Sequence, residues 1–455
     1  MGGTEVYVTG LAKGLLACDI ATIIAAPGAT TQSYCYDGIP VRRFATRQQV
    51  DNLRDLYGEG DELAAHEFAK VLDEEKPDLV HLHAFTPGVS LRSVRAAKLR
   101  GIPVVYTYHT PTATCQRGTM MRWGTAPCNG LMNLHDCSRC TLEGLINRKS
   151  EVGGLRSHVG KISAQVMGSL PPEIGRLLGK CGLRADAITG LRMTELVRLH
   201  HSTTRAMLAE VDHVVAVCDW VRQVLLRNGV PEAKMTLSRQ GVTLAPTSRV
   251  WKTQIAKAES PTESFVLKIG FFGRLDPTKG IHILLLAIRS IPLAALKLDI
   301  YAVSQGAAGR NYELTLRSLA NGDDRINFIA PVAATEILAT LTNYDLLAVP
   351  SQLLETGPLV VLEAFEAGVP VIGSRLGGIA ELVDDGVNGI LVEPSSVAAW
   401  QATLQKLCSE PDLIKHLRSG GKPSRTMQTV TEEMITLYID IVCTKEWRDV
   451  SPPRL

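Results

Sequence analysis

The sequence predicts an α/β protein of two doubly wound parallel-sheet domains, and three observations lead there. Short apolar runs alternate with amphipathic stretches of helical length, the pattern of a parallel sheet covered on both faces. The alternation occurs twice in a chain of 455 residues, which is long enough to bury two cores. Between the two sets lies a polar segment without periodicity, residues 244–264, which reads as a linker.

In the first half the predicted strands are "DIATIIAA" (19–26), "DLVHLHA" (78–84), "PVVYTYH" (103–109) and, after a long gap, "HVVAVC" (213–218). The stretches "DELAAHEFAKVLDEEK" and "GVSLRSVRAAKLRG" between the first three have helical periodicity. This set forms the first predicted domain, residues 1–243. The second set runs through "FVLKIGFFG", "LKLDIYAV", "INFIA", "YDLLAVPS", "PVIGS" and "GILVEP". It forms the second domain, residues 265–425, and residues 426–455 read as a helix crossing back to the first. Ligands of open parallel sheets sit outside the carboxyl ends of the strands, so two such domains are expected to share a cleft.

Composition narrows the function. Apolar residues make up 45% of the chain and charged residues 21%, which suits a soluble fold. A net charge of +2, without basic residues interleaved with aromatics, gives no field to gather nucleic acid. No run of eighteen apolar residues would span a membrane. Glu5 stands where a signal peptide carries positive charge and Lys13 interrupts the apolar part that follows. The expected location is the cytoplasm.

Residues 112–210 interrupt the strand and helix alternation and read as an insertion. Its second part, Gly154 to Arg205, carries eight Lys or Arg against three acids. Two readings stand: a solvated helical hairpin, or a surface that brings the protein to an anionic substrate or to the inner face of the membrane. Its first part holds Cys115, Cys128, Cys137 and Cys140, spaced C-x12-C-x8-C-x2-C, with His135 nearby. Such thiolates can close a structural zinc site or hold an iron–sulfur cluster, and free thiols or disulfides are the other readings.

The segment "ETGPLVVLE" (355–363) places two carboxylates around an apolar helix start. Pro358 suits a first helical turn, Gly368 a carboxyl cap, and Pro370 stops continuation, which predicts a helix over 358–367. Side chains lean toward a helix's amino end, so Glu363 is expected to point back at the loop carrying Glu355. The free N–H groups of that helix end suit a phosphate, and ionised carboxylates accept hydrogen bonds from hydroxyls. A nucleotide sugar carries both. "GFFGRLDPTKG" adds Arg274 and Lys279 at a strand end, and Gly377-Gly378 lets backbone approach a ligand. Two cations and a helix terminus would stabilise a departing diphosphate more than the bound one.

In order, "GRLDPTKG", "VPS", "ETGPLVVLE", "GVPVIGSRLGGIAELV" and "GVNGILVEP" resemble the carboxyl-terminal domain of the retaining glycosyltransferases of family 4, which have the GT-B fold. "GGTEVYVTGLAKGL", "PDLVHLH" and "VVYTYHTP" resemble that family's amino-terminal half. The resemblance implies that Arg274 and Lys279 hold the donor diphosphate, Glu363 the ribose hydroxyls, and Glu355, with Thr356, Gly357, Leu359 and Val360 after it, the donor sugar. It implies His109 beside the transferred sugar, so that His109 and Glu355 are the catalytic candidates. Gly2 and Gly3 would let the first helix approach the phosphates. It implies no divalent metal for the leaving group, and no Asp-x-Asp motif is present to supply one.

This sequence departs from the family at its start, where Met1 directly precedes the double glycine, so the first strand of the amino-terminal domain is expected to be missing. Cys218 and Gln240 stand where the family has Ser and Asn, and the cysteine insertion is not general to it. The function implied is transfer of a sugar from a UDP- or GDP-linked donor to a saccharide or lipid-linked acceptor in polysaccharide or glycoconjugate synthesis. A nucleotide-sugar epimerase of the same fold, and a truncated relative that binds without turnover, are the alternatives.

Overall fold

The structure, a computed structural model, describes residues 2–48, 52–147, 163–180, 186–243 and 265–449. The predicted linker lies outside them. The chain divides into two compact units, Met1–Ser238 with Val430–Leu455, and Arg239–Thr429.

The amino-terminal unit contains strands β1 (Ile24–Gly28), β2 (Gln32–Tyr36), β3 (Ile39–Ala45), β4 (Val80–Leu82), β5 (Val104–Tyr108), β6 (Met121–Arg122), β7 (Ala126–Pro127), β8 (His213–Ala216) and β9 (Met235–Leu237). Strands β4, β5, β8 and β9 form a parallel sheet in that order, whereas β1, β3 and β2 form a separate mixed sheet. With the antiparallel pair β6–β7, the first domain has three sheets among the described residues, where the sequence pattern suggested one. Every residue of β5 is buried. Its Val104, Tyr106 and Tyr108 pack with Phe68, Val94, Val214 and Ala216 into one core.

Two local differences from the sequence pattern have physical causes. The run 19–26 becomes a strand only from Ile24, because Asp19 (φ +59°) turns the chain and Ile20 donates its N–H back to the Leu15 carbonyl at 3.0 Å, closing the end of helix Gly3–Ala17. The β2–β3 hairpin was missed because β2 is exposed along its whole length and carries no apolar signal. Its turn did carry one: Asp37-Gly38, both at positive φ, is the pair a tight hairpin favours.

Part of the described insertion packs into the amino-terminal unit, while helix Pro172–Lys180 leaves most of its side chains exposed. Helix Met193–Glu210 buries Met193, Leu196, Val197, Met207 and Leu208, and Thr204 Oγ1 donates to the Ala113 carbonyl at 3.0 Å. Three of its basic side chains have internal partners. Arg192 and Arg54 reach Glu195, whose side chain is 3% exposed, at 3.0 and 2.8 Å; Arg198 meets Glu173; Arg205 donates to the Met132 carbonyl. Residues 148–162 and 181–185 of this region are outside the described residues.

The carboxyl-terminal unit has a six-stranded, fully parallel sheet of β10 (Leu267–Arg274), β11 (Leu296–Val303), β12 (Ile326–Ile329), β13 (Leu346–Val349), β14 (Val371–Ser374) and β15 (Gly389–Val392). Their spatial order is β12-β11-β10-β13-β14-β15. Chain direction through the sheet therefore reverses between β10 and β13, and loops leaving the carboxyl ends of these two strands diverge over a crevice. Helices Ile281–Arg289 and Val397–Ser409 bury Leu284, Leu285, Trp400 and Leu404 against one face, and helix Leu359–Glu366 buries Val361, Ala364 and Phe365 against the other.

Candidate functional site

The loops at that crevice carry the candidate residues of the carboxyl-terminal unit. After β10, the Asp276 carboxylate accepts from the Thr278 N–H at 2.8 Å and caps the single turn Pro277–Lys279. Gly280 follows at φ +71°, and a Cβ there would lie 1.8 Å from the Pro350 carbonyl oxygen, so only glycine lets this loop lie against the one after β13. The Gln352 N–H fastens the two by donating to the Thr278 carbonyl at 2.6 Å. In this setting Lys279 Nζ meets Glu355 Oε1 at 2.6 Å, and Ser351 Oγ donates to the same oxygen at 2.8 Å. Sheet topology alone brings this pair together across a sequence gap of 76 residues.

Glu355 also ties the loop to the next one, its carbonyl accepting the Gly378 N–H at 2.7 Å. A Cβ on Gly378 would stand 2.3 Å from the Gly357 nitrogen, so these glycines place backbone directly on backbone. Gly357 itself is at φ +103°. Pro358 is the extended cap rather than the first helical residue, and the helix runs Leu359–Glu366, with Gly368 at φ +69° just past its end. Thr356 is buried, its carbonyl 3.5 Å from Gln240 Nε2. Leu359 and Val360 are half-buried in the first turn.

Glu363 is half-buried, one turn further in. Among the described residues no hydrogen-bond or ion-pair partner reaches its carboxylate, and burial pushes its pKa from 4.5 to about 7. Arg274 stands exposed at the end of β10, donating to Gln305 Oε1 at 3.2 Å. The resemblance gives Lys279 to the donor diphosphate and Glu355 to the donor sugar; in the structure the two side chains meet as an ion pair. Sequence reasoning missed Ser351 and Gln352, which hold this arrangement; the "VPSQ" strand exit was their only signal.

In the amino-terminal unit, His109 directly follows β5 and is 5% exposed. Its Nε2 lies 3.0 Å from His83 Nδ1, and its ring packs edge-on against Tyr7 at 4.7 Å. Burial, and then the neighbouring His83, hold its pKa well below the usual histidine value. Gly2 and Gly3 start helix Gly3–Ala17 as expected, but the Gly2 N–H donates to the Glu5 carboxylate at 3.0 Å, so that donor already has an acid.

The four cysteines come near one another. Among the described residues no group of three or more His, Cys, Asp or Glu side chains is placed to hold a metal ion. The sulfurs are instead engaged locally: Cys128 Sγ accepts the Gly130 N–H at 3.4 Å, Cys140 Sγ the Trp123 N–H at 3.3 Å, and Cys137 Sγ lies 4.0 Å from the Leu131 carbonyl. Cys115 is engaged by backbone N–H groups of Arg117, Gly118 and Met120.

Two family models match the chain. Residues 2–135 match the glycosyl transferase 4-like domain, and residues 253–423 match glycosyl transferases group 1. The chain belongs to the group 1 glycosyltransferases. Among curated relatives of this glycosyltransferase, the D-inositol 3-phosphate glycosyltransferase of Arthrobacter sp. (strain FB24) is 23% identical over 90% of this chain and 82% of its own length. The enzyme of that name from Corynebacterium jeikeium (strain K411) is 37% identical over 151 residues, 32% of this chain and 36% of the relative. That from Saccharomonospora viridis is 29% identical over 51% of this chain and 56% of the relative. The chain thus spans less than two thirds of these last two.

Solved structures give the fold of this glycosyltransferase. Sucrose-phosphate synthase from Thermosynechococcus elongatus superposes with a TM-score of 0.63 at 17% identity, covering 98% of this chain and 94% of that one. Anabaena HepE, in complex with UDP and glucose, superposes with a TM-score of 0.58 at 17% identity over 96% and 95%. The fold is GT-B. No helix among the described residues is long and apolar enough to cross a membrane.

Proposed function

We propose that this chain transfers a sugar from a nucleoside diphosphate donor to a hydroxyl of a saccharide or lipid-linked acceptor, with retention of anomeric configuration. The observation that carries the reading is Glu363: a half-buried carboxylate without a partner among the described residues, inside the apolar helix that follows the loop carrying Glu355. An unpaired carboxylate there costs free energy unless a ligand supplies donors. Two ribose hydroxyls supply them. A fold relative that holds UDP and glucose supports a uridine donor, and a guanosine donor fits the same hydroxyl chemistry.

In the proposed reaction the acceptor hydroxyl attacks the anomeric carbon from the face the leaving group departs. The bond between that carbon and the phosphate oxygen breaks, and the departing diphosphate takes the acceptor's proton. Arg274, and Lys279 once the diphosphate competes with Glu355 for it, oppose the charge that grows on the leaving group. Glu355, so released, accepts from the sugar, Thr356 to Val360 provide the loop and first helical turn around it, and His109 acts in turnover.

The test is a screen of UDP- and GDP-sugars for a rise in melting temperature, followed by detection of nucleotide release with an acceptor. Stabilisation by a nucleotide sugar and acceptor-dependent release are expected, with His109→Ala lowering kcat more than donor binding. Conversion of the sugar without nucleotide release would make the protein an epimerase. Binding without either product would make it a non-catalytic relative, and no stabilisation by any nucleotide sugar would remove the donor-site assignment.

A further inference from the structure

Three histidines converge at the ends of β4 and β5, and the proposed function uses one of them. His81 in β4 and His83 directly after it lie two apart along the extended chain, their ring centroids 4.0 Å apart at an interplanar angle of 37°. Both nitrogens of His81 are engaged, Nδ1 with Tyr438 Oη at 2.5 Å and Nε2 with Thr107 Oγ1 at 2.6 Å. Tyr438 belongs to helix Met427–Asp449, part of which returns to this unit. A ring tethered at both nitrogens cannot swing, and it backs His83. His83 in turn presents Nδ1 to His109 Nε2 at 3.0 Å, with the two ring planes inclined by 32°, while Tyr7 closes the other side at 5.8 Å from His83 and 4.7 Å from His109.

We propose that His83 is the positioning residue for His109, fixing through its Nδ1 which nitrogen of the His109 ring carries the proton. This rests on the reading that His109 acts in turnover. The chemistry is that of paired neutral imidazoles. Burial, and for His81 and His109 the neighbouring histidines, keep all three rings uncharged at neutral pH. A neutral imidazole has one donating and one accepting nitrogen. If His83 Nδ1–H donates, His109 must carry its proton on Nδ1. If His109 Nε2–H donates, His83 must carry its proton on Nε2. The two rings therefore take matching tautomers and change only together, because a mismatched pair would set two protons or two lone pairs against each other at 3.0 Å. Whatever His109 offers from its other nitrogen, donor or acceptor, is coupled to the tautomer of His83, whose ring lies against the tethered His81.

The tautomer is read by nitrogen NMR of the full chain labelled at histidine, with His109→Gln identifying the His109 signals. Wild-type His109 is expected to show one protonated and one bare ring nitrogen, well separated in shift. In His83→Ala the two shifts move toward each other as the ring samples both forms. His83→Asn, whose amide sets a donor and an acceptor close to the position of Nδ1, restores the separation, and the longer His83→Gln does not. Kinetically, His83→Ala lowers kcat about tenfold with little change in donor KM, the scale on which an orienting partner acts, and Asn recovers most of it. Circular dichroism establishes that each variant is folded; should Ala not fold, the contrast between Asn and Gln makes the same decision. Unchanged His109 shifts without His83, or equal loss in Asn and Gln, overturns the proposal. If His109→Ala leaves turnover intact, the reading of His109 falls while the NMR result still decides the coupling of the rings.

Discussion

Glu363→Gln keeps the shape of the side chain and removes its charge, and it should raise stability while lowering donor affinity. The wild-type carboxyl is pushed from 4.5 to about 7 by burial. At 1.36 kcal/mol per pKa unit a fully shielded group would cost about 3 kcal/mol when ionised in the folded state, and partial exposure reduces this to about 1–2 kcal/mol. A group whose folded pKa is raised contributes its stability below the unfolded value and loses it as pH rises through the folded one. Wild type is therefore least favoured relative to the variant above pH 7, and the two converge as pH falls toward 4.5. At pH 8 the variant should melt about 2–6 °C higher, with no such gain at pH 4.5. Donor binding should change in the opposite direction, weakening about tenfold or more, since hydrogen bonds to a charged acceptor contribute about 1.5–3 kcal/mol. For wild type, donor affinity should rise with pH up to about 7 and then level off, because hydroxyls favour the ionised acceptor. Differential scanning calorimetry across pH and titration calorimetry with the donor measure both arms. A variant no more stable at pH 8, or with unchanged donor affinity, would refute the reasoning.

Lys279→Ala should destabilise the chain by about 1–2 kcal/mol in denaturant melts, since it leaves Glu355 without its cation at a partly buried position, and removing Glu355 as well should return part of that loss. Gly378→Ala should cost about 2 kcal/mol or more and abolish donor binding in the thermal-shift screen, because its Cβ would meet the Gly357 nitrogen at 2.3 Å, backbone that cannot step aside. Glu195→Gln, outside the unit that carries Lys279, Glu355 and Glu363, should lower stability by about 3 kcal/mol at neutral pH with donor affinity unchanged, since it strands the charges of Arg54 and Arg192 around a buried position.

The sequence by itself determined the elements that periodicity encodes. Five of the six strands of the carboxyl-terminal sheet lie within the predicted apolar runs and β10 runs one residue past its own, while the short helix bounded by Pro358 and Gly368 begins one residue late and ends one early. Buried parallel strands must be apolar throughout, and caps are local, so both are written where they act. The family motifs likewise point to Lys279, Glu355, Glu363 and His109 from sequence alone. Tertiary structure decided what these residues do to one another. Strand order places Lys279 on Glu355 and leaves Glu363 without a partner among the described residues, and neither fact follows from spacing, because pairing across 76 residues depends on which strands are neighbours. It set Arg192 of the basic insertion, with Arg54, on the buried Glu195, since a count of charges does not say which way they face. It also joined His83 to His109: the two lie at the ends of adjacent parallel strands, and only the sheet brings those ends within a hydrogen bond of each other.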